Sequence, residues 1–195
     1  MDIFNKLSGI AKQYGIKTPK VNGAVPGVGN KTKTFTFNSL PHNVQELQAL
    51  PEASLTDVYA TAALSLLALA NYETDKAACF EMLNFLKGPE PLSPSEKSFI
   101  ADRFMDGHFY KVNSYFEGAV PGNNYTPSKP LTVKVSSNPY SFDNENWATL
   151  WLHSGGADNP RPVKLRKKPS TGQWFIVEIQ YLSDVRPPVA ADKWA

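Results

Sequence analysis

The sequence predicts an α+β domain in which an N-terminal helical block packs on one face of a mainly antiparallel β-sheet of about four to five strands. Two observations carry that expectation. Apolar residues recur at helical spacing as far as Gly107. From Leu131 onward they alternate with polar residues at a period of two, so a run of helices is followed by a run of strands.

The elements follow in order. Residues 2–14 place Ile3, Phe4, Leu7, Ile10, Ala11 and Tyr14 on one side of a short amphipathic helix, and Gly15 is its stop. Residues 15–33 read as linker, because Gly, Pro, Lys, Thr and Asn dominate. Thr34 to Phe37 alternates as a short strand, and Val44 to Leu50 holds a turn or two of helix before Pro51. Ser54 and Thr56 can cap the next helix, whose apolar residues run almost unbroken from Leu55 to Ala70. A helix apolar on most sides is buried on most sides. Thr74 and Asp75 start another helix, which carries Ala78, Phe80, Leu83 and Leu86 and ends at Gly88-Pro89. Ser93 as cap, Pro94 at the first helical position and Glu96 two residues later form a capping box for the helix that carries Phe99, Ile100, Phe104 and Met105.

In the strand region, Leu131, Val133 and Val135 face one way and Thr132, Lys134 and Ser136 the other. Trp147 to His153 forms a second strand. Val163 and Leu165 alternate with Lys164, Arg166 and Lys168 in a third. After the turn Pro169 to Gly172, a fourth strand puts Phe175, Val177, Ile179 and Tyr181 on one face. The expected organisation is a helix and basic linker over residues 1–32, then one α+β domain over residues 33–195.

Composition narrows the class. An apolar fraction of 42% with 19% charged residues supports a real core and argues against wholesale disorder. The net charge of +2 is too small to signal nucleic acid. It is unevenly spread: residues 1–41 hold six lysines against one aspartate, and residues 42–107 hold ten acidic residues against four basic ones. A basic arm and an acidic helical block can attract each other within one molecule. The single cysteine, Cys79, excludes an internal disulfide framework and reads as a buried thiol. The N-terminus lacks a signal-peptide core and no apolar run is long enough to span a bilayer, so a reducing cytoplasm is the expected setting.

Several residue groups carry candidate chemistry. Gly27 to Thr32 hints at a phosphate loop but breaks its pattern, because Asn30 separates Gly29 from Lys31. His153-Ser154-Gly155-Gly156 with Asp158 holds the letters of a hydrolase site, yet a strand entering a Gly-Gly turn explains it fully. Asp102 and Asp106, four apart on one helix face, with His108 just beyond, could ligate a metal. Nothing calls for an organic cofactor, and no catalytic residue is assigned.

The sheet face away from the helices would present Lys164, Arg166, Lys168 and Trp174, with Trp151 on a neighbouring strand. Basic and aromatic residues so interleaved can hold an anionic ligand. Glu178 and Asp184 nearby weaken the case for nucleic acid. The helix over residues 2–14 is the other contact element. A lone helix of about 13 residues is marginal in water, so Ile3, Phe4, Leu7, Ile10 and Tyr14 need a surface. That surface would belong to its own domain, a second copy or a protein partner. Membrane-surface contact through Lys6 and Lys12 would be weak.

Three stretches carry a resemblance: EGAVPGNNYTPSKPLTVKVSSNPYSF (117–142), SGGADNPRPVKLRKKPSTGQWFIVEIQYLSDVR (154–186) and the terminal Asp192 to Ala195. They resemble an uncharacterised bacterial family, a domain of unknown function found chiefly in Gram-positive anaerobes. The resemblance covers most of residues 40–195 and is best after residue 115. It implies a bacterial cytoplasmic protein and assigns no activity. The leading expectation is a non-enzymatic protein-interaction module, with anionic-ligand binding on the sheet and a metal-dependent enzyme as the alternatives.

Overall fold

The chain enters its sheet through a strand, and the helices come afterwards. A computed structural model describes residues 30–192. The helix expected over residues 2–14, with Ile3, Phe4, Leu7, Ile10 and Tyr14, lies outside the described residues, as do Lys193 to Ala195. Strand β1 spans Lys31–Phe37 and starts three residues before the alternation at Thr34 announces it. Its early half reads Lys-Thr-Lys-Thr, which has no apolar residue to reveal a period. The β-branched threonines nevertheless suit a pleated strand.

Five helices follow β1: α1 (Val44–Gln48), α2 (Val58–Ala70), α3 (Lys76–Lys87), α4 (Pro94–Arg103) and α5 (Tyr110–Asn113). The chain then returns to the sheet with β2 (Leu131–Ser137), β3 (Trp147–Leu152), β4 (Arg161–Lys168) and β5 (Gln173–Glu178). The sheet is five-stranded in the order β1-β2-β3-β4-β5, and every pairing is antiparallel. The α+β class therefore holds, but the helices are an insertion between the first two strands of a meander and not an N-terminal block.

Local chemistry explains the helix ends. The side chain of Asp57 accepts from the Tyr59 amide at 2.9 Å and so caps α2. Ser54 and Thr56, the expected caps, hydrogen-bond each other at 3.0 Å instead. Asp75 caps α3 through the Ala78 amide. The capping box of α4 forms as its letters require, with both the Ser93 and the Glu96 arms in place.

Helix α2 is the centre of the molecule. Every residue from Val58 to Leu69 is buried, and α2 contacts all five strands. Each leucine taken out of water there contributes about 1.5–3 kcal/mol. Its buried hydroxyls are satisfied: Ser65 donates to Ala62 O at 2.7 Å and accepts from the Tyr181 hydroxyl at 2.6 Å. The sheet meets α2 with Val133, Val135, Leu150, Leu152, Val163, Leu165 and Ile176, all inside one continuous core. Cys79 is buried in that core, and its burial, with the Asp75 charge, pushes the thiol up to about 12.

Strand β5 departs from expectation. Its core-facing residue is Ile176, paired with Leu165, while Phe175 and Val177 are half-buried on the other side. Trp-Phe-Ile-Val is apolar at every position, so periodicity cannot choose its inner face. Strand β5 ends at Glu178, so Ile179 and Tyr181 reach the core from beyond the sheet.

Candidate functional site

A concavity lies where α4 approaches the end of β5. It is a cleft of about 600 Å³, within the range of about 300–1,000 Å³ typical of ligand sites. One wall is a face of α4: Ser95 and Glu96, then Phe99 and Ile100 one turn later. The opposite wall is the continuous stretch from Val177 to Tyr181, and Arg161 and Pro162 of β4 close the end with Ser183 and Asp184. Phe99, Ile100, Pro162, Val177, Ile179 and Tyr181 give it apolar surface, interspersed with polar and charged side chains. The Arg161 cation is held in the wall: its Nη2 donates to Asp184 O at 2.7 Å, and its buried Nε meets no acceptor among the described residues.

The capping box of α4 also shapes this site. Glu96 accepts from the Ser93 amide at 2.8 Å and from Lys87 Nζ at 2.7 Å. Lys87 is only 5% exposed and donates in turn to Val177 O at 3.1 Å, so helix cap and edge strand share one ammonium. Burial pushes the Glu96 carboxyl up, but its hydrogen bonds with Lys87 and Ser93 and the Lys87 charge together hold it below the ordinary glutamate range. An ionised, fully engaged carboxylate orients groups rather than donating a proton. Glu178, on the other wall, is paired with Lys164 at 3.0 Å. The cleft thus has the makings of a recognition site: an apolar floor, a fixed cation and acidic side chains already tied down.

The residues singled out in the sequence are distributed differently. Lys164, Arg166 and Lys168 do lie on the outer face of the sheet, and Trp151 joins them with Trp147. Arg166 sits over the Trp147 ring at 5.2 Å. Trp174 does not share that face. It pairs with Lys167 on the helix side and meets Phe142 edge-on at 6.3 Å, because β5 runs in the opposite phase to the one expected. Carboxylates reach the outer-face cations: Lys134 with Glu117 at 2.5 Å, Lys164 with Glu178, and Arg166 with Glu90 at 3.9 Å.

Asp102, Asp106 and His108 do not share one helical face. Helix α4 ends at Arg103, and Asp106 has a left-handed backbone with φ of 59°. Asp102 lies 3.4 Å from Arg103, and His108 packs edge-on against Tyr110. Among the described residues no group of three or more His, Cys, Asp or Glu side chains is placed to hold a metal ion.

The letters His153 to Asp158 disperse in the same way. His153 Nε2 contacts Ser136 Oγ at 2.8 Å, Ser154 donates to Ser114 Oγ at 2.7 Å, and Asp158 pairs with Arg186 at 2.9 Å. Burial and then the Lys134 charge hold the imidazole below the ordinary histidine range. The two glycines are needed for close approach. A Cβ on Gly155 would stand 2.1 Å from Ala119 O, and one on Gly156 2.3 Å from the Tyr125 hydroxyl. That turn locks the loop over residues 118–130 onto the one over residues 154–162.

No local signal in the sequence could have named the cleft, since its walls come from three separated segments. Its one legible component is the capping box. No helix among the described residues is long and apolar enough to cross a membrane. No curated protein and no solved structure matches the chain. A family described as a domain of unknown function (DUF6935) matches residues 39–189, a span that includes both walls of the cleft and four of the five strands. The chain belongs to that family.

Proposed function

We propose that this chain is a protein-interaction domain that takes an apolar-striped segment of a partner protein in the cleft between α4 and the end of β5. The observation that carries the reading is the cleft itself: Phe99, Ile100, Val177 and Ile179 line a groove beside an edge strand, with Arg161 fixed at its end. Grooves of this kind receive amphipathic helices through residues spaced three and four apart. A bacterial cytoplasm is part of the same proposal, supported by a lone, buried cysteine in a chain with no disulfide.

The outer face of the sheet supports an anionic ligand less well. Such a ligand would compete with Glu90, Glu117 and Glu178 for the cations it needs.

Panning a displayed library of random peptides against the full chain tests the reading. The expected result is enrichment of sequences with apolar residues at helical spacing. Their binding should vanish in Ser95→Trp, which fills the cleft from an exposed position on α4, and persist in Trp147→Ala. Circular dichroism verifies that both variants fold. Binding that survives Ser95→Trp, or that Trp147→Ala removes, would overturn the proposal.

A further inference from the structure

We infer that the cleft is occupied, in the absence of a partner, by the chain's own residues 2–14, docked in cis as a helix. This rests on the binding proposal above and adds a regulation to it. Ile3, Phe4, Leu7, Ile10 and Tyr14 recur at the spacing by which a helix anchors in a groove. A helix of about 13 residues does not hold together alone in water, so that stripe requires an apolar surface.

The register of the sheet shows that the cleft is within reach. Lys31 opposes Ser137 at the end of β2. Val135, next to that end, opposes Leu152 at the end of β3, and Leu152 opposes Arg161 at the start of β4. Lys164 in turn opposes Glu178 at the end of β5. Across this staggered sheet Lys31 is therefore level, to within about two residues, with Arg161 at the start of β4 and Glu178 at the end of β5. Four strand spacings across the sheet come to about 19 Å. Residues 15–29 could stretch to about 50 Å, and a coil of that length has a root-mean-square span of about 20 Å.

A tether whose mean span matches the gap gives the highest local concentration. Charge favours the same placement. Residues 1–29 carry four lysines against one aspartate, while the helical block that supplies the α4 wall holds ten acidic residues against four basic ones over residues 42–107. A local concentration in the millimolar range, acting on a helix of about 0.1 mM affinity, would weaken an outside ligand about tenfold.

A spin label on the full chain tests this. Ser8→Cys sits off the apolar stripe, and the native thiol does not compete for the label, because Cys79 is buried with its ionisation pushed up to about 12. The expected result is loss of most amide intensity at Phe99, Ile100 and Ile179, with Thr34, Lys134 and Trp147 unaffected. Adding Leu7→Glu to the labelled chain should restore the intensity and tighten binding of a library-selected peptide about tenfold. Unchanged cleft amides, or broadening on the outer sheet face, would overturn the inference. So would broadening of an isotope-labelled chain by a separate spin-labelled one, which would make the occupant a second copy. If the cleft amides stay sharp while Ser95→Trp still abolishes peptide binding, the binding proposal stands and self-occupation alone falls.

Discussion

The two edges of this sheet solve one problem in two ways. An edge strand exposes backbone donors and acceptors that invite pairing with another chain. Strand β1 answers with its own sequence: Lys31, Thr32, Thr34 and Thr36 are exposed, and Lys33 reaches Asp57 at 2.5 Å. Strand β5 has an apolar sequence and relies on the rest of the molecule. Leu55 O accepts from the Trp174 amide at 2.7 Å, Lys87 caps Val177 O, and Gly88 lies against the Phe175 ring. A lysine-bearing edge can be moved or mutated with little consequence, whereas a covered edge is part of the core. The cleft exists because the covering of β5 stops at Val177, leaving the stretch to Tyr181 facing α4.

That contrast can be broken most severely at Lys87. Lys87→Ala should cost about 2–4 kcal/mol in urea unfolding, because it takes the charged donor from the Val177 carbonyl and from one Glu96 oxygen together. Gly88→Ala comes next. Its φ of +61° and a Cβ that would stand 2.3 Å from Phe175 should cost about 1–3 kcal/mol in the same assay. Glu96→Gln sharpens the comparison through pH. The folded carboxyl titrates below its unfolded range, so its contribution is present above the unfolded value of about 4.3 and is lost as pH falls through the folded value. Thermal melts of the wild type should fall more steeply than those of Glu96→Gln across that acid window. At the β1 edge, Lys33→Met removes a half-exposed pair and should cost less than about 1 kcal/mol. Equal losses at Lys33 and Lys87 would show that the two edges are not held differently.

The smallest effect concerns the outer face. Because carboxylates neighbour Lys134, Lys164 and Arg166, fluorescence anisotropy with single-stranded DNA should show no binding that falls with salt. A steep salt dependence, removed by Arg166→Gln, would restore the anionic-ligand reading.

Much of the local structure was legible. Ser93, Pro94 and Glu96 announced α4, Asp75 began α3, and the unbroken apolar run of α2 told of burial on all sides. The alternation in β2 and β4 named their inner faces correctly. The misreadings share one cause, which is that the deciding interaction was distant. Trp174 and Phe175 are both apolar, and only the cover over Phe175 and the pairing of Ile176 with Leu165 decide which faces the core. Asp102 and Asp106 would share a face in a continuous helix, but α4 ends between them.

By itself the sequence determined most of the longer helices and strands, where α3 and α4 start, and how deeply α2 is buried. Those outcomes depend on hydrogen bonds and apolar spacing within a few residues. Only the tertiary structure decided that the helices are inserted after β1, which face of β5 looks inward, and where the cleft opens. Each of these depends on residues tens of positions apart, such as Lys87 and Val177 or Arg161 and Asp184, whose meeting no local pattern encodes.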